Sequence, residues 1–353
     1  MGPAASDPAL IPAVLAHYGI VSEAEVRSIE SGLINRSYTV RSARGTFVLQ
    51  WVNPLFDPCV HEDIEAVTAH LEAAGLLTPR LWRTRDGALF VRDARGGIWR
   101  LMTHVAGRTL DRLTDPALAA SAGDLVGRFH QAVSTLSHDF VFTRLGVHDT
   151  ARHLARLATA LEVRRDHPRH DQVAPLGERI LRTAAVLEPL PATPRRVVHG
   201  DLKISNLLFA EEAPRALALI DLDTLGRMRL PLEMGDALRS WCNPAGEDDP
   251  QSALRPDLFQ AALDGYAAAT RGLLTSEEIS AIVVATQTVA VELAARFCRD
   301  ALEESYFGWD PRRFSSRSEH NRIRALSQIE LADSIAQQRR TLEAVVRKAF
   351  GRG

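Results

Sequence analysis

Two stretches of this chain carry residue types and spacings that can do chemistry. The first is His199-Gly200-Asp201-Leu202-Lys203-Ile204-Ser205-Asn206 and the second is Ile220-Asp221-Leu222-Asp223. Each has a short apolar lead-in, Val197-Val198 or Leu217-Ala218-Leu219-Ile220, which reads as a short buried strand. Each therefore delivers carboxylates or an amide at a strand end. Two oxygen-donor clusters held together suit a hard cation that bridges phosphates. On this reading Asp201 stands beside an attacking hydroxyl, while Asn206 and Asp221 hold Mg2+ on the β- and γ-phosphates of a nucleotide. Lys203 is placed to neutralise the transferring phosphoryl group. A strand-turn-strand with exposed acids is the alternative, and a lone His-Gly-Asp would mean no more than that.

The pattern His-Gly-Asp-Leu-Lys-x-x-Asn followed by Ile-Asp-x-Asp resembles the aminoglycoside phosphotransferase and choline kinase family, small-molecule kinases with a protein-kinase-like fold. The resemblance implies an α+β, bilobal chain. A small N-terminal antiparallel-sheet lobe with one main helix would span 1–105, and a large, mostly helical C-terminal lobe 106–353. It further implies ATP as co-substrate, Mg2+ as metal, Asp201 and Lys203 as catalytic groups, and Asp223 as a further metal carboxylate beside Asn206 and Asp221. Catalysis of this kind rests on position and charge compensation.

The elements that must position these groups follow from periodicity. Ala9 to Tyr18 reads as a short helix stopped by Gly19. Val26 to Glu30 and Arg36 to Val40 alternate as strands around Ser31-Gly32-Leu33-Ile34-Asn35-Arg36-Ser37. In a kinase this would be the nucleotide-covering turn, with Gly32, Asn35 and Ser37 near the phosphates; an ordinary hairpin turn explains one glycine as well. Arg44-Gly45 closes a hairpin onto Thr46 to Val52. The strand position where kinases of this fold generally carry a lysine is Gln50, so the lysine–glutamate pair of protein kinases is not expected. A plain surface-strand glutamine is the alternative. Val60, Ile64, Val67 and Leu71 mark a helix to Ala74, with Glu62 as its inward carboxylate or as a solvated one. Strands over Ala88 to Arg92 and Ile98 to Val105 follow, and backbone groups from Met102 to His104 would meet the adenine edge. Beyond Gly107 the pattern turns helical, from Pro116, from Asp149 and from about Val173 before the catalytic segment, then from Glu233 and from Pro256 to Arg347. His130 reads as a helix-packing residue, and Asp236 as a brace for the catalytic loop.

Further stretches are similar to bacterial N-acetylhexosamine 1-kinases within that family. They are Gly32-Leu33-Ile34-Asn35, Val48-Leu49-Gln50, Met234-Gly235-Asp236-Ala237-Leu238-Arg239, Arg296-Phe297-Cys298-Arg299-Asp300 with Tyr306-Phe307, and Glu319-His320-Asn321 leading into Gln328. The acceptor this implies is the anomeric hydroxyl of an N-acetylhexosamine or related sugar. Asp201, Arg239, Arg296, Tyr306 and Phe307 would bind it. Gly200 departs from that subgroup, where asparagine is expected. Two other readings stay open: a kinase of an aminoglycoside, choline or ethanolamine, homoserine or methylthioribose, whose cationic acceptor could meet an acidic pocket from Glu247-Asp248-Asp249 or Glu303-Glu304 (a solvated acidic loop explains these as well), and a nucleotide-binding regulator without turnover. The absence of Ala-Pro-Glu after the second motif argues against a protein kinase.

Composition sets the remaining bounds. A chain of 353 residues can bury the cores of two lobes. A net charge of -2 offers no argument for nucleic acid or membrane partners. The three cysteines, Cys59, Cys242 and Cys298, are too scattered for a disulfide framework or a zinc site. No apolar run reaches membrane-spanning length, no secretory signal is visible, and Pro3 spoils a formal myristoylation pattern at Gly2. A cytoplasmic monomer or homodimer, with a nucleotide and a small-molecule acceptor as partners, is the expectation.

Overall fold

The computed structural model describes residues 8–20, 24–29, 35–142 and 146–351. After a 3-10 turn, α1 (Ile11–His17) precedes an antiparallel meander of β1 (Glu25–Ile29), β2 (Arg36–Ser42) and β3 (Gly45–Val52). Alternation along β3 sorts its two faces. Phe47, Leu49 and Trp51 join Trp99, Leu101 and the α1 residues Val14 and Leu15 in one apolar cluster. Val52, with Ile98 and Met102, belongs to a second cluster that continues into the helices. Gln50 is on that inner face.

The expected helix forms as α2 (Val60–Ala73), with Val60, Ile64, Val67 and Leu71 all buried. Each such side chain contributes about 1.5–3 kcal/mol on burial. Gly75 follows with φ +76°, a backbone state that glycine adopts at little cost. Then come β4 (Leu81–Trp82), β5 (Val91–Arg92) and β6 (Ile98–Thr103). The sheet runs β1-β2-β3-β6-β4, with β5 paired to β6. The strand expected from Ala88 shrinks to Val91–Arg92 because Thr84 folds the chain back on Ala88 through two backbone-directed bonds of 2.9 and 2.8 Å. The two-residue β4 is an element that the pattern did not indicate.

The larger, helical part begins with α3 (Pro116–Val133), α4 (Thr150–Val163) and α5 (His170–Ala185). Asp115 caps α3 by accepting from the Ala117 N–H at 2.8 Å, and Asp149 caps α4 through the Arg152 N–H. Four short strands follow: β7 (Arg195–Val198), β8 (Leu207–Phe209), β9 (Ala216–Leu219) and β10 (Gly226–Arg229). They pair as two antiparallel ribbons, β7 with β10 and β8 with β9. The remaining helices are α6 (Leu230–Trp241), α7 (Pro256–Ala269), α8 (Ser276–Ser280), α9 (Ile282–Glu303) and α10 (Arg317–Phe350). The α9 helix is buried along most of its length and packs against α4, α5, α6 and α10. The α3 and α7 helices cross on Gly123 and Gly265, where an added Cβ would lie 1.9 Å and 2.0 Å from backbone carbonyl oxygens of the opposite helix. The architecture is α+β: an N-terminal antiparallel sheet with its helix, and a larger helical part.

Candidate active site

The catalytic loop leaves β7 at Val198 and is held from below by α6. Glu233 accepts the backbone N–H groups of His199 and Gly200 on one oxygen, at 2.7 and 2.8 Å. Its other oxygen faces His130 Nε2 at 2.9 Å, and the His130 ring also meets the Tyr266 hydroxyl at 2.9 Å. Trp241 Nε1 donates to the Leu202 carbonyl at 2.8 Å. The second motif is tied to the first by three bonds. His199 Nε2 meets the Ile220 carbonyl at 2.9 Å, the Ile220 N–H donates to the Asn206 carbonyl at 2.9 Å, and the Thr224 hydroxyl donates to the His199 carbonyl at 2.8 Å. Gly200 takes φ +86°, and a Cβ there would stand 2.3 Å from the Thr224 carbonyl oxygen.

This scaffold gathers the predicted chemical groups. Lys203 Nζ lies 3.0 Å from Asp201 Oδ2, and Asn206 Nδ2 donates to the same oxygen at 3.0 Å and to the Asp201 carbonyl at 2.8 Å. The side chains of Asp201 and Lys203 remain 25% and 40% exposed, so an acceptor can reach them. Burial opposes charge on Asp201, yet Lys203 holds its carboxyl below the usual range. Asp221 sits in the left-handed region at φ 62°. Burial, with Asp223 and Asp201 nearby, pushes its carboxyl up to about 6. Crowded oxygen donors of this kind fit a hard cation. Asn206 turns Nδ2 to Asp201, which leaves Oδ1 as the atom a metal would meet. Among the described residues no group of three His, Cys, Asp or Glu side chains could hold a metal alone. Mg2+ usually takes one or two carboxylates and completes its shell with phosphates and water, a demand that Asp221 and Asn206 Oδ1 fit.

Above the second motif, the inner face of the sheet carries a buried polar chain. Arg100, opposite Gln50 in the β3–β6 register, donates Nε to Gln50 Oε1 at 2.8 Å. Its two terminal nitrogens both reach the Asp223 carboxylate, Nη2 to Oδ2 at 2.9 Å. Gln50 Nε2 donates to the Ser37 hydroxyl at 3.0 Å. Asn35 Nδ2 donates to Asp223 Oδ2 at 2.6 Å and its Oδ1 accepts the Asn53 N–H at 2.9 Å. On α6, Arg239 is buried between Asp236 (2.7 and 2.9 Å) and Glu247 (2.6 Å). Arg296 lies over the rings of Tyr306 and Phe307, at 5.9 and 5.5 Å from the centroids. Asp300 fixes that loop by accepting the N–H groups of Ser305, Tyr306 and Phe307.

A family model described as the phosphotransferase enzyme family matches residues 25–272, most of the chain and all of this site except α9 and the 305–307 loop. The chain belongs to the phosphotransferase enzyme family. It is similar to homoserine kinase from Granulibacter bethesdensis, at 27% identity over 80% of this chain and 83% of the relative. It is 30% identical to homoserine kinase from Pseudomonas aeruginosa, over 69% of this chain and 73% of the relative. Among solved structures, a microcompartment-associated aminopropanol kinase has a TM-score of 0.64 at 16% identity, covering 96% of this chain and 99% of its own. An aminoglycoside phosphotransferase from Alicyclobacillus acidocaldarius has 0.61 at 17% identity, covering 100% and 99%. These last two share the fold. The chain is thus a small-molecule phosphotransferase with an alcohol acceptor.

Several expectations change once this phosphotransferase is folded. Asp223, expected as a further metal carboxylate, has Arg100 and Asn35 on its two oxygens at full burial. Glu62 is exposed; the acid that α2 turns inward is Asp63, which accepts His138 Nε2 at 2.7 Å and the N–H groups of Val141 and Phe142. Asn35, Ser37 and Gln50 are brought together, but in the Arg100 network. Met102 is buried on the inner face beside Val48, and His104 is exposed just beyond β6. Gly32 lies outside the described residues. The brace of the catalytic loop is Glu233, with His130 behind it; Asp236 instead pairs with Arg239. Arg100 and Glu233 were missed as site residues.

Proposed function

We propose that this phosphotransferase is an ATP-dependent kinase of a small amino alcohol, with homoserine as the acceptor. The observation that carries the reading is the similarity to proteins named homoserine kinase along most of both chains. In this reading Asp201 orients the acceptor hydroxyl and takes its proton as the oxygen attacks the γ-phosphate, and Lys203 offsets charge on the transferring group. Asn206 and Asp221 would hold Mg2+, which when bound supplies positive charge to the phosphates. Met102 and the backbone to His104 line the adenine end.

The charge pattern on the acceptor side supports a small zwitterion over a polycation. Four of the five acids that could have formed a cation pocket are already paired: Glu247 with Arg239, Asp248 with Arg313, His320 and Arg324, Glu303 with Arg299, and Glu304 with His167. Arg296 has no carboxylate within 4 Å among the described residues and is the seat proposed for the acceptor carboxylate. The earlier sugar expectation is therefore replaced by an amino acid.

The test is Mg2+-dependent ADP release over homoserine, choline, ethanolamine, N-acetylglucosamine and kanamycin. Turnover on homoserine alone supports the proposal. Turnover confined to N-acetylglucosamine returns the acceptor to a sugar, and nucleotide binding without any turnover makes the protein a regulator.

A further inference from the structure

A fully buried ion pair outside the reacting groups joins Arg100 to Asp223. Its side chains are 1% and 0% exposed, and its partners lie 123 residues apart in sequence. It joins β6 of the sheet to the 3-10 turn Leu222–Thr224 of the helical part. Every oxygen of Asp223 is used, and Arg100 Nε is aimed by Gln50, itself held by Ser37. A buried ion pair is weak evidence for stability, since an apolar pair of similar volume is often as stable or more so. A pair completed this far is better explained by the position it enforces.

The position in question is that of Asp221, two residues before Asp223. A non-glycine residue at φ 62° costs about 1 kcal/mol or more and persists where its surroundings over-determine it. Asp221 has Asn206 and His199 contacts behind it through Ile220 and the Arg100–Asp223 pair in front of it. Its carboxylate also shares the turn with the negative charge of Asp223, which Arg100 neutralises in place.

We propose that Arg100, working through Asp223, is the positioning residue that sets the metal-binding carboxylate Asp221, in a chain whose third strand offers only the uncharged Gln50. Arg100 does not itself touch the nucleotide in this role. It aligns the sheet and the second motif so that Asp221 and Asn206 face one cation. The inference rests on the reading of Asp221 and Asn206 as metal-holding residues.

The experiment compares the wild type with Arg100→Gln, Asp223→Asn and the apolar swap Arg100→Met/Asp223→Leu. The swap keeps volume and removes both buried charges, so it guards against variants that fail to fold. Two quantities are read: the calorimetric affinity for AMP-PNP with Mg2+ and with EDTA, and ADP release against Mg2+ concentration. The expected result is that the folded swap loses at least tenfold of the Mg2+-dependent gain in affinity. Its half-saturating Mg2+ rises by a similar factor, and acceptor KM stays within twofold. Arg100→Gln and Asp223→Asn should show the same defect, and the two together no more than the worse one, as for residues acting through one contact. A folded swap with wild-type Mg2+ dependence and a lowered Tm overturns the inference, since the pair is then only structural. A wild type that gains no nucleotide affinity from Mg2+ overturns the metal reading itself, which is a different result.

Discussion

Asp201 receives the Lys203 ammonium and the Asn206 amide on one oxygen, and its side chain stays 25% exposed. A general base so placed contributes about 10²–10⁴-fold to rate. Asp201→Asn should therefore lower kcat by that range while Mg2+–AMP-PNP still binds with wild-type affinity; a matching loss of nucleotide affinity would instead make Asp201 part of the binding site. On the acceptor side, Arg296→Ala should raise KM for homoserine at least tenfold with kcat and KM for ATP little changed, the signature of lost binding common to ground and transition states. His61, beneath the same network, gives a pH prediction. Its ring is fully buried against Phe90, with Arg100 and Asp223 as the charged groups facing it and Nδ1 on the Pro58 carbonyl at 2.7 Å. Burial, then Arg100, pulls its pKa down from 6.5 to about 4. The unfolded chain thus takes up a proton that the folded one refuses between those values. Stability is complete above pH 6.5 and falls as the pH drops toward 4, by about 3 kcal/mol from this group. Urea midpoints at pH 7 and 4.5 should differ by less in His61→Phe than in the wild type; equal differences would remove His61 as the cause.

At the scale of elements, the turn between β7 and the catalytic loop depends on having no side chain at position 200. Asparagine tolerates a left-handed backbone better than most residues. Even so, its Cβ would meet the Thr224 carbonyl that Gly200 packs against. Gly200→Asn should therefore displace the second motif, lowering kcat at least tenfold and the urea midpoint together, and normal activity would show that the turn can relax. This element also shows what was legible beforehand. Asp201, Lys203 and Asn206 lie within one turn of chain, so spacing alone places them together, and α2 declares itself through four apolar positions on one face. Glu233 reads as an ordinary acid in the first turn of a helix, because the N–H groups it accepts lie 33 and 34 residues earlier. Arg100 is obscured more fully. In a strand pattern a charged residue signals solvent, and only the pairing of β6 with β3 and the return of the chain at Asp223 reveal that it is enclosed. Local order is written in neighbouring residues; a polar network assembled from β2, β3, β6 and the second motif is not.

Across the whole molecule, two apolar clusters share one sheet. The outer cluster pins α1 against Leu49, Trp99 and Leu101, while the inner runs from Val52, Ile98 and Met102 through α2 and α3 to α9 and α10. The residues of the two clusters alternate along the same strands, so neither face of β3 or β6 can be lost without exposing the other. Among the described residues no helix is long and apolar enough to cross a membrane. The expectation is that the sheet and the helical part unfold together. Leu15→Ala on α1 and Ile335→Ala on α10 remove side chains that are 4% and 0% exposed. Each should cost about 2–5 kcal/mol, and because the sites are far apart in the fold the two losses should add. Calorimetry of both variants should show one transition moved to lower temperature, with far-ultraviolet circular dichroism and tryptophan fluorescence coincident. Two transitions, with Leu15→Ala shifting only the first, would mean that the sheet melts on its own. The Arg100–Asp223 contact would then open before the helical part does, and the alignment of Asp221 would depend on the folding of the sheet alone.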